Sequence, residues 1–152
     1  MNHPVEILLV EDNPSDQELT LHVLSRHFAS HITDRVMVVH DGAEALDFIF
    51  CTGAYAGRDP QLPPRMLLLD LKLPKVDGLE VLRRAKADPR TRGIPIVVFS
   101  SSYEKCDIQQ AHELGAHSYV VKPVDFGQFA EAVREALSTA HAIANATANE
   151  AP

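Results

Sequence analysis

Four ionisable residues stand directly after short apolar runs. The run Ile7–Val10 leads into Glu11-Asp12, Met66–Leu69 leads into Asp70, and residues 119–121 lead into Lys122-Pro123. Unbroken apolar runs of this length, bounded by turn residues, read as buried parallel strands. Ligand sites in open α/β sheets lie at the carboxyl ends of such strands. With these runs as neighbours in one sheet, three acids and one lysine converge on a single crevice. That set suits a divalent cation together with a phosphoryl group. Taken singly, each residue has an ordinary explanation: Asp12 as a helix cap, Lys122 as a surface residue, Ser100 as a loop hydroxyl. Four adjacent strand ends carrying such groups together would need several coincidences.

The elements that must hold these residues alternate five times along the chain. Strands are expected over 5–10, 36–39, 66–69, 96–99 and 118–121. A first helix begins at Asn13-Pro14-Ser15-Asp16, with proline early and an acid in the first turn, and places Leu19, Val23, Leu24 and Phe28 on its buried face. A second helix carries Ala45, Leu46, Ile49 and Phe50 inward. A third turns Leu79, Val81 and Leu82 inward and Arg83, Arg84 and Lys86 outward, and ends at Asp88-Pro89. A fourth covers 104–114 and stops at Gly115, an expected left-handed cap. A fifth starts near Asp125 and buries Phe126, Phe129, Val133 and Leu137. The 51–64 segment is a loop longer than most α/β connections. Five βα units imply one doubly wound parallel sheet with right-handed crossovers and strand order 2-1-3-4-5. The unit is expected over 5–138, followed by a tail over 139–152.

Glu11-Asp12, Asp70, Ser100 and Lys122-Pro123, each after its strand, resemble the receiver domain of two-component response regulators, a flavodoxin-like fold. The resemblance covers about residues 5–138 and implies a function. Asp70 would accept a phosphoryl group from the phosphohistidine of a sensor histidine kinase or phosphotransfer protein; a carboxylate is already anionic near neutral pH and needs no general base. Mg²⁺ would be held by Asp12, Asp70 and the Lys72 backbone carbonyl, with Glu11 acting through water, in keeping with the ion's taste for oxygen ligands. Lys122 would pair with Asp70 and then neutralise the phosphoryl group. Ser100 would hydrogen-bond it, and Tyr119 would follow inward as a switch. Catalysis would be limited to the chain's own phosphotransfer and dephosphorylation.

Two features depart from the family pattern. Lys72 sits two residues after the acceptor, where its ammonium can cover the route of an attacking water. The 51–64 loop, with the Asp70–Gly78 stretch, is similar to small stand-alone regulators paired with bacterial phytochrome kinases. No output-domain pattern follows, so the signal is expected to leave through protein contacts or onward phosphotransfer. Alanines 132, 136, 140, 144 and 148 keep i,i+4 spacing. They either extend the last helix as a small-residue stripe toward another subunit or belong to a frayed tail. A homodimer through the fourth and fifth helices and fifth strand is expected.

The bulk properties narrow the classes. A chain of 152 residues with 45% hydrophobic content supports one domain with a true core. A net charge of −7 argues against a nucleic-acid binder. The cluster Arg83, Arg84, Lys86, Arg90 and Arg92 is then a solvated or docking face. There is no apolar stretch long enough to span a bilayer and no signal-peptide pattern, so a cytoplasmic setting is expected. Cys51 and Cys106 make no disulfide framework and are expected to pack. His27 and His31 share helical spacing but lack a third ligand. Two other functions compete. A degenerate receiver acting as a constitutive binding module would usually have lost acids that are present here. A haloacid-dehalogenase-type phosphatase needs a second aspartate where Lys72 stands.

Overall fold

The computed structural model describes residues 5–28, 32–102, 104–122, 127–136 and 138. Five parallel strands, β1 (Ile7–Val10), β2 (Val36–Val39), β3 (Met66–Leu69), β4 (Ile96–Ser100) and β5 (Ser118–Val121), form one sheet in the order β2-β1-β3-β4-β5. They are joined through helices α1 (Pro14–His27), α2 (Gly42–Phe50), α3 (Gly78–Ala87) and α4 (Lys105–Glu113), and a fifth helix, α5, covers 127–136. The expected fold class and strand order are the observed ones.

The central strands have no polar alternation because both faces are covered. Leu8, Val10, Leu67, Leu69, Ile96 and Val98 point to one side, against Ala45, Phe48 and Ile49 of α2, Val81, Leu82 and Ala85 of α3 and Ala111 of α4. Ile7, Leu9, Met66, Leu68, Val97 and Phe99 point to the other, against Val23 and Leu24 of α1 and Phe129, Val133 and Ala136 of α5. Side chains alternate across a strand, so each β-run supplies two cores at once.

Register sets the level at which the chain leaves the sheet. Val10 pairs with Leu69, and Ser100 with Val121. The Asp70 amide donates to the Val10 carbonyl at 3.1 Å, the Glu11 amide to Val39 at 3.1 Å and the Lys122 amide to Ser100 at 2.8 Å. Glu11, Asp70 and Lys122 are therefore placed by backbone pairing before any side chain acts. Caps fix the helix starts: Asn13 accepts from the Ser15 and Asp16 amides, Asp41 from Glu44 and Asp77 from Glu80. Gly115, at φ +104, closes α4 as expected, with its amide on the His112 carbonyl.

Several expected placements are corrected. Leu19 is 41% exposed, and Thr20 takes the buried place beside Val23 and Leu24. Phe48 is the fully packed phenylalanine of α2, and Phe50 is only partly buried. Leu79 is likewise partly buried, with Ala85 completing the inner face of α3. Lys86 does not face outward: its ammonium donates to the carbonyls of Arg92 (3.0 Å) and Ile94 (2.8 Å), and burial lowers its pKa. Arg83 and Arg84 both pair with Glu80, and Arg90 with Asp88, so two carboxylates offset part of the charge of this basic face. Cys106 is exposed rather than packed, whereas Cys51 is half-buried. Ala132 and Ala136 face the protein's own core, which ends the reading of these two positions as a stripe toward another subunit. His31, Asp125, Phe126, Leu137, the side chain of His27 and the tail over 139–152, with its alanines 140, 144 and 148, lie outside the described residues.

The 51–64 loop is held rather than loose. It contains a 3-10 turn over Gly53–Tyr55, and the Arg58 guanidinium lies 3.8 Å from the Phe48 ring centroid while donating to the carbonyls of Phe48 and Leu62.

Candidate functional site

The β1 and β3 ends bring Glu11, Asp12 and Asp70 together, with one carboxylate oxygen of each within 4.8 Å of the others. Glu11 is fully buried, Asp70 is 7% exposed and Asp12 opens to solvent. Across from them Lys122, at the end of β5, reaches Glu11 Oε1 at 2.6 Å, Asp16 Oδ2 at 2.9 Å and Asp70 Oδ2 at 3.4 Å. Three carboxylates thus meet one ammonium, with the solvent-exposed Asp12 beside them. The surplus of hard oxygen donors, one of them solvent-accessible, fits a small divalent cation.

The expected pairing of Lys122 with Asp70 is present, but it is the longest of the three. Glu11 is nearer although β1 lies one strand farther than β3 from β5 in the sheet, so the longer glutamate and lysine side chains meet across Asp70. Burial pushes the Glu11 carboxyl up to about 7; the Lys122 hydrogen bond opposes this and Asp70 adds to it. For Lys122, burial works to lower the pKa, but hydrogen bonds to Glu11 and Asp16 outweigh it and raise it.

Asp70 is held at both oxygens, since Oδ1 accepts the Lys72 amide at 3.2 Å and Oδ2 faces Lys122. The Lys72 side chain itself is exposed. Ser100 is fully buried, and its hydroxyl oxygen accepts the Ser102 amide at 3.2 Å. The Tyr119 hydroxyl donates to the Ser102 carbonyl at 2.9 Å. Burial raises the Tyr119 pKa, opposed by hydrogen bonds with Ser100 and Ser102. A hydrogen-bonded path therefore runs from Ser100 at the β4 end through the Ser102 backbone to the half-buried ring of Tyr119.

Three partners were not picked out as site residues from the sequence. The sequence marks Asp16 only as a helix-dipole acid, although its i+4 spacing from Asp12 is a usable signal. Gln17 donates to the Glu11 carbonyl at 2.6 Å and contacts His40 Nδ1 at 3.0 Å. Because that amide nitrogen is the donor to Glu11, His40 Nδ1 acts as acceptor. Nothing in sequence spacing marks Gln17 or His40.

The Glu11 geometry has a pH consequence in the metal-free protein. A carboxyl whose folded pKa is raised binds more protons folded than unfolded between about 4.5 and about 7. Stability is therefore fullest below that window and falls as pH rises through it. With a chelator present, the urea midpoint of the wild type should drop between pH 5 and pH 8, and Glu11→Gln should flatten the drop and converge with wild type at the acid end. Parallel curves for the two proteins would show that Glu11 is ionised throughout.

Comparison with known proteins gives a consistent picture. Residues 7–134 match the response regulator receiver domain family. The chain is 39% identical over 132 residues to the probable methanogenesis regulatory protein FilR2 of Methanothrix harundinacea, covering 87% of this chain and 81% of that one. It is 38% identical over 121 residues to response regulator Rcp1 of Synechocystis, covering 80% and 78%. Among solved structures, the bacteriophytochrome response regulator AtBRR superposes with a TM-score of 0.74 at 47% identity, covering 91% of this chain and 95% of that one. The Mn²⁺-bound form of Rcp1 superposes with a TM-score of 0.73 at 33% identity, covering 87% and 91%.

Proposed function

The chain belongs to the response regulator receiver domain family and is related to phytochrome response regulators, and on that premise we propose that it is a phosphorylatable switch with Asp70 as acceptor. The observation that carries this reading is the Asp70 carboxylate held between the Lys72 amide and the Lys122 ammonium, beside Glu11 and Asp12. An Asp70 oxygen forms the new bond to phosphorus. The bond from phosphorus to the donor imidazole nitrogen breaks, and the electron pair leaves with that nitrogen. Lys122 then neutralises phosphoryl oxygen charge from β5. Ser100 donates to another phosphoryl oxygen, and its movement is felt by Tyr119 through the Ser102 backbone.

The carboxylates of Asp12 and Asp70 and the Lys72 carbonyl would hold Mg²⁺, with Glu11 bonding to its water. Bound there, the ion would offset repulsion between the acidic pocket and an anionic phosphoryl group. The donor is a sensor histidine kinase or phosphotransfer protein, and phytochrome-type kinases are the class suggested by the relatives. A cytoplasmic protein acting through protein contacts, as a homodimer through α4, β5 and α5, completes the proposal. Sedimentation that finds a monomer in both phosphorylation states would remove the dimer. Among the described residues no helix is long and apolar enough to cross a membrane.

The test is incubation with acetyl phosphate and Mg²⁺ followed by intact-mass measurement. A gain of one phosphoryl group, lost when Mg²⁺ is chelated, is expected. No gain at saturating donor and metal would favour the constitutive binding module.

Lys72→Ala should speed dephosphorylation roughly two- to tenfold, the scale of about 0.4–1.4 kcal/mol on a barrier. The backbone amide that holds Asp70 is unchanged in this variant, so only the exposed ammonium is lost. Phosphoprotein decay after donor removal reads the effect directly, and an unchanged rate would leave Lys72 without a role in lifetime.

A further inference from the structure

Lys122 has three ammonium protons and, among the described residues, three carboxylate partners within 3.4 Å. Glu11 and Asp70 belong to the pocket at the strand ends. Asp16 does not: it sits on the first turn of α1, with its side chain 37% exposed while that of Lys122 is 14% exposed. Neither phosphoryl acceptance nor metal holding uses it.

We propose that Asp16 is a positioning residue that holds the Lys122 ammonium toward α1 and away from Asp70, and so sets how readily the phosphorylated state forms. The proposal rests on the switch reading above and adds to it a residue outside the strand-end set. To neutralise a phosphoryl group on Asp70, the ammonium must move past its long 3.4 Å contact with Asp70 toward the phosphoryl oxygens, which loosens its shorter bonds to Glu11 or Asp16. Glu11 is fully buried and lies at 2.6 Å, so its bond is the harder to replace. Asp16 is the partner that water can solvate when it is left.

The grip has a fixed origin. The Asp16 amide is capped by Asn13 at 3.2 Å, and the next residue, Gln17, ties the same turn to the Glu11 carbonyl at 2.6 Å. The first turn of α1 is therefore clamped to the β1 end from both sides of Asp16. Loss of the Asp16 charge has two effects of the same sign. It removes a bond present only in the unphosphorylated arrangement, and it removes repulsion toward a dianion on Asp70. Charge loss also weakens attraction for a cation, so the comparison belongs at saturating Mg²⁺. Because Asp16 is partly exposed, the effect is that of a solvent-screened pair, about two- to fivefold in an equilibrium constant.

The test compares wild type, Asp16→Asn and Asp16→Glu in two measurements. In the first, beryllofluoride is titrated at saturating Mg²⁺ as a phosphoryl mimic and followed by ¹⁹F NMR. Asp16→Asn should half-saturate at a concentration about two- to fivefold lower, and Asp16→Glu should stay near wild type. In the second, without beryllofluoride, the ¹⁵N resonance of the Lys122 ammonium should move in Asp16→Asn and not in Asp16→Glu. An Asn variant that matches wild type in either measurement overturns the proposal, as does a Glu variant that shifts as much as Asn. Wild type that binds no beryllofluoride overturns the switch reading instead, while the Lys122 resonance still decides whether Asp16 holds the ammonium.

Discussion

Asp70→Asn is expected to gain no phosphoryl mass from acetyl phosphate and Mg²⁺ under conditions where wild type gains one group. The substitution keeps the shape of the side chain. Its amide oxygen can still accept the Lys72 amide, which lies 3.2 Å from Oδ1 in the wild type. What it removes is the anionic oxygen that would attack phosphorus, and a neutral amide is a poor nucleophile. The fold should not suffer, since the substitution relieves a site in which Glu11, Asp16 and Asp70 share one ammonium. Melting at or above the wild-type temperature, with no mass gain, is the expected pair of results. A phosphoryl group found on the variant, located by peptide mass to Glu11 or Asp12, would move the acceptor to β1.

Gly78→Ala is the second large effect. Gly78 opens α3, and its amide donates to the Leu71 carbonyl at 2.8 Å. A Cβ placed there would meet the Asp70 carbonyl oxygen and the Leu71 Cα, both backbone atoms that cannot swing aside. Overpacking of this kind typically costs about 1–3 kcal/mol. At about 2–4 °C per kcal/mol for a domain of this size, the melting temperature should fall by roughly 2–12 °C. The phosphorylation rate should fall with it, because the displaced atom belongs to the acceptor residue itself. Gly93→Ala is the control: nothing lies within 4 Å of a Cβ there, so both readouts should stay near wild type. Equal behaviour of the two variants would show that the Asp70–Gly78 loop yields without cost.

How much of this was legible in the sequence varies by element. The five strands were readable because a strand buried on both faces needs an unbroken apolar run, and Ile7–Val10 and Met66–Leu69 are such runs. The site followed from the residue after each run, since parallel pairing brings those ends to one level. Helix faces were read less well. Spacing alone puts Leu19 inward, but α1 presents Thr20 to the core and leaves Leu19 at the surface. The mean apolar pattern does not fix the rotation of a helix to within one residue. Lys86 and Cys106 escape the pattern for a related reason: a long amphipathic side chain can fold back on carbonyls, and a lone cysteine carries no directional signal.

The sequence by itself determined the (βα)5 order, the strand ends and the identity of Glu11, Asp12, Asp70, Ser100 and Lys122 as groups arriving at one edge. These are consequences of local apolar runs and of the rule that parallel strands end together. Only the tertiary structure decided who touches whom there. It showed that Lys122 meets Glu11 and Asp16 more closely than Asp70, that Gln17 bridges the Glu11 carbonyl and His40, and that Tyr119 reaches Ser102. Such choices depend on differences of a few tenths of an ångström to about 1 Å between groups far apart in the chain. They are settled when α1 packs on the sheet and fixes the distance of its first turn from β5, a distance that no local pattern in the sequence encodes.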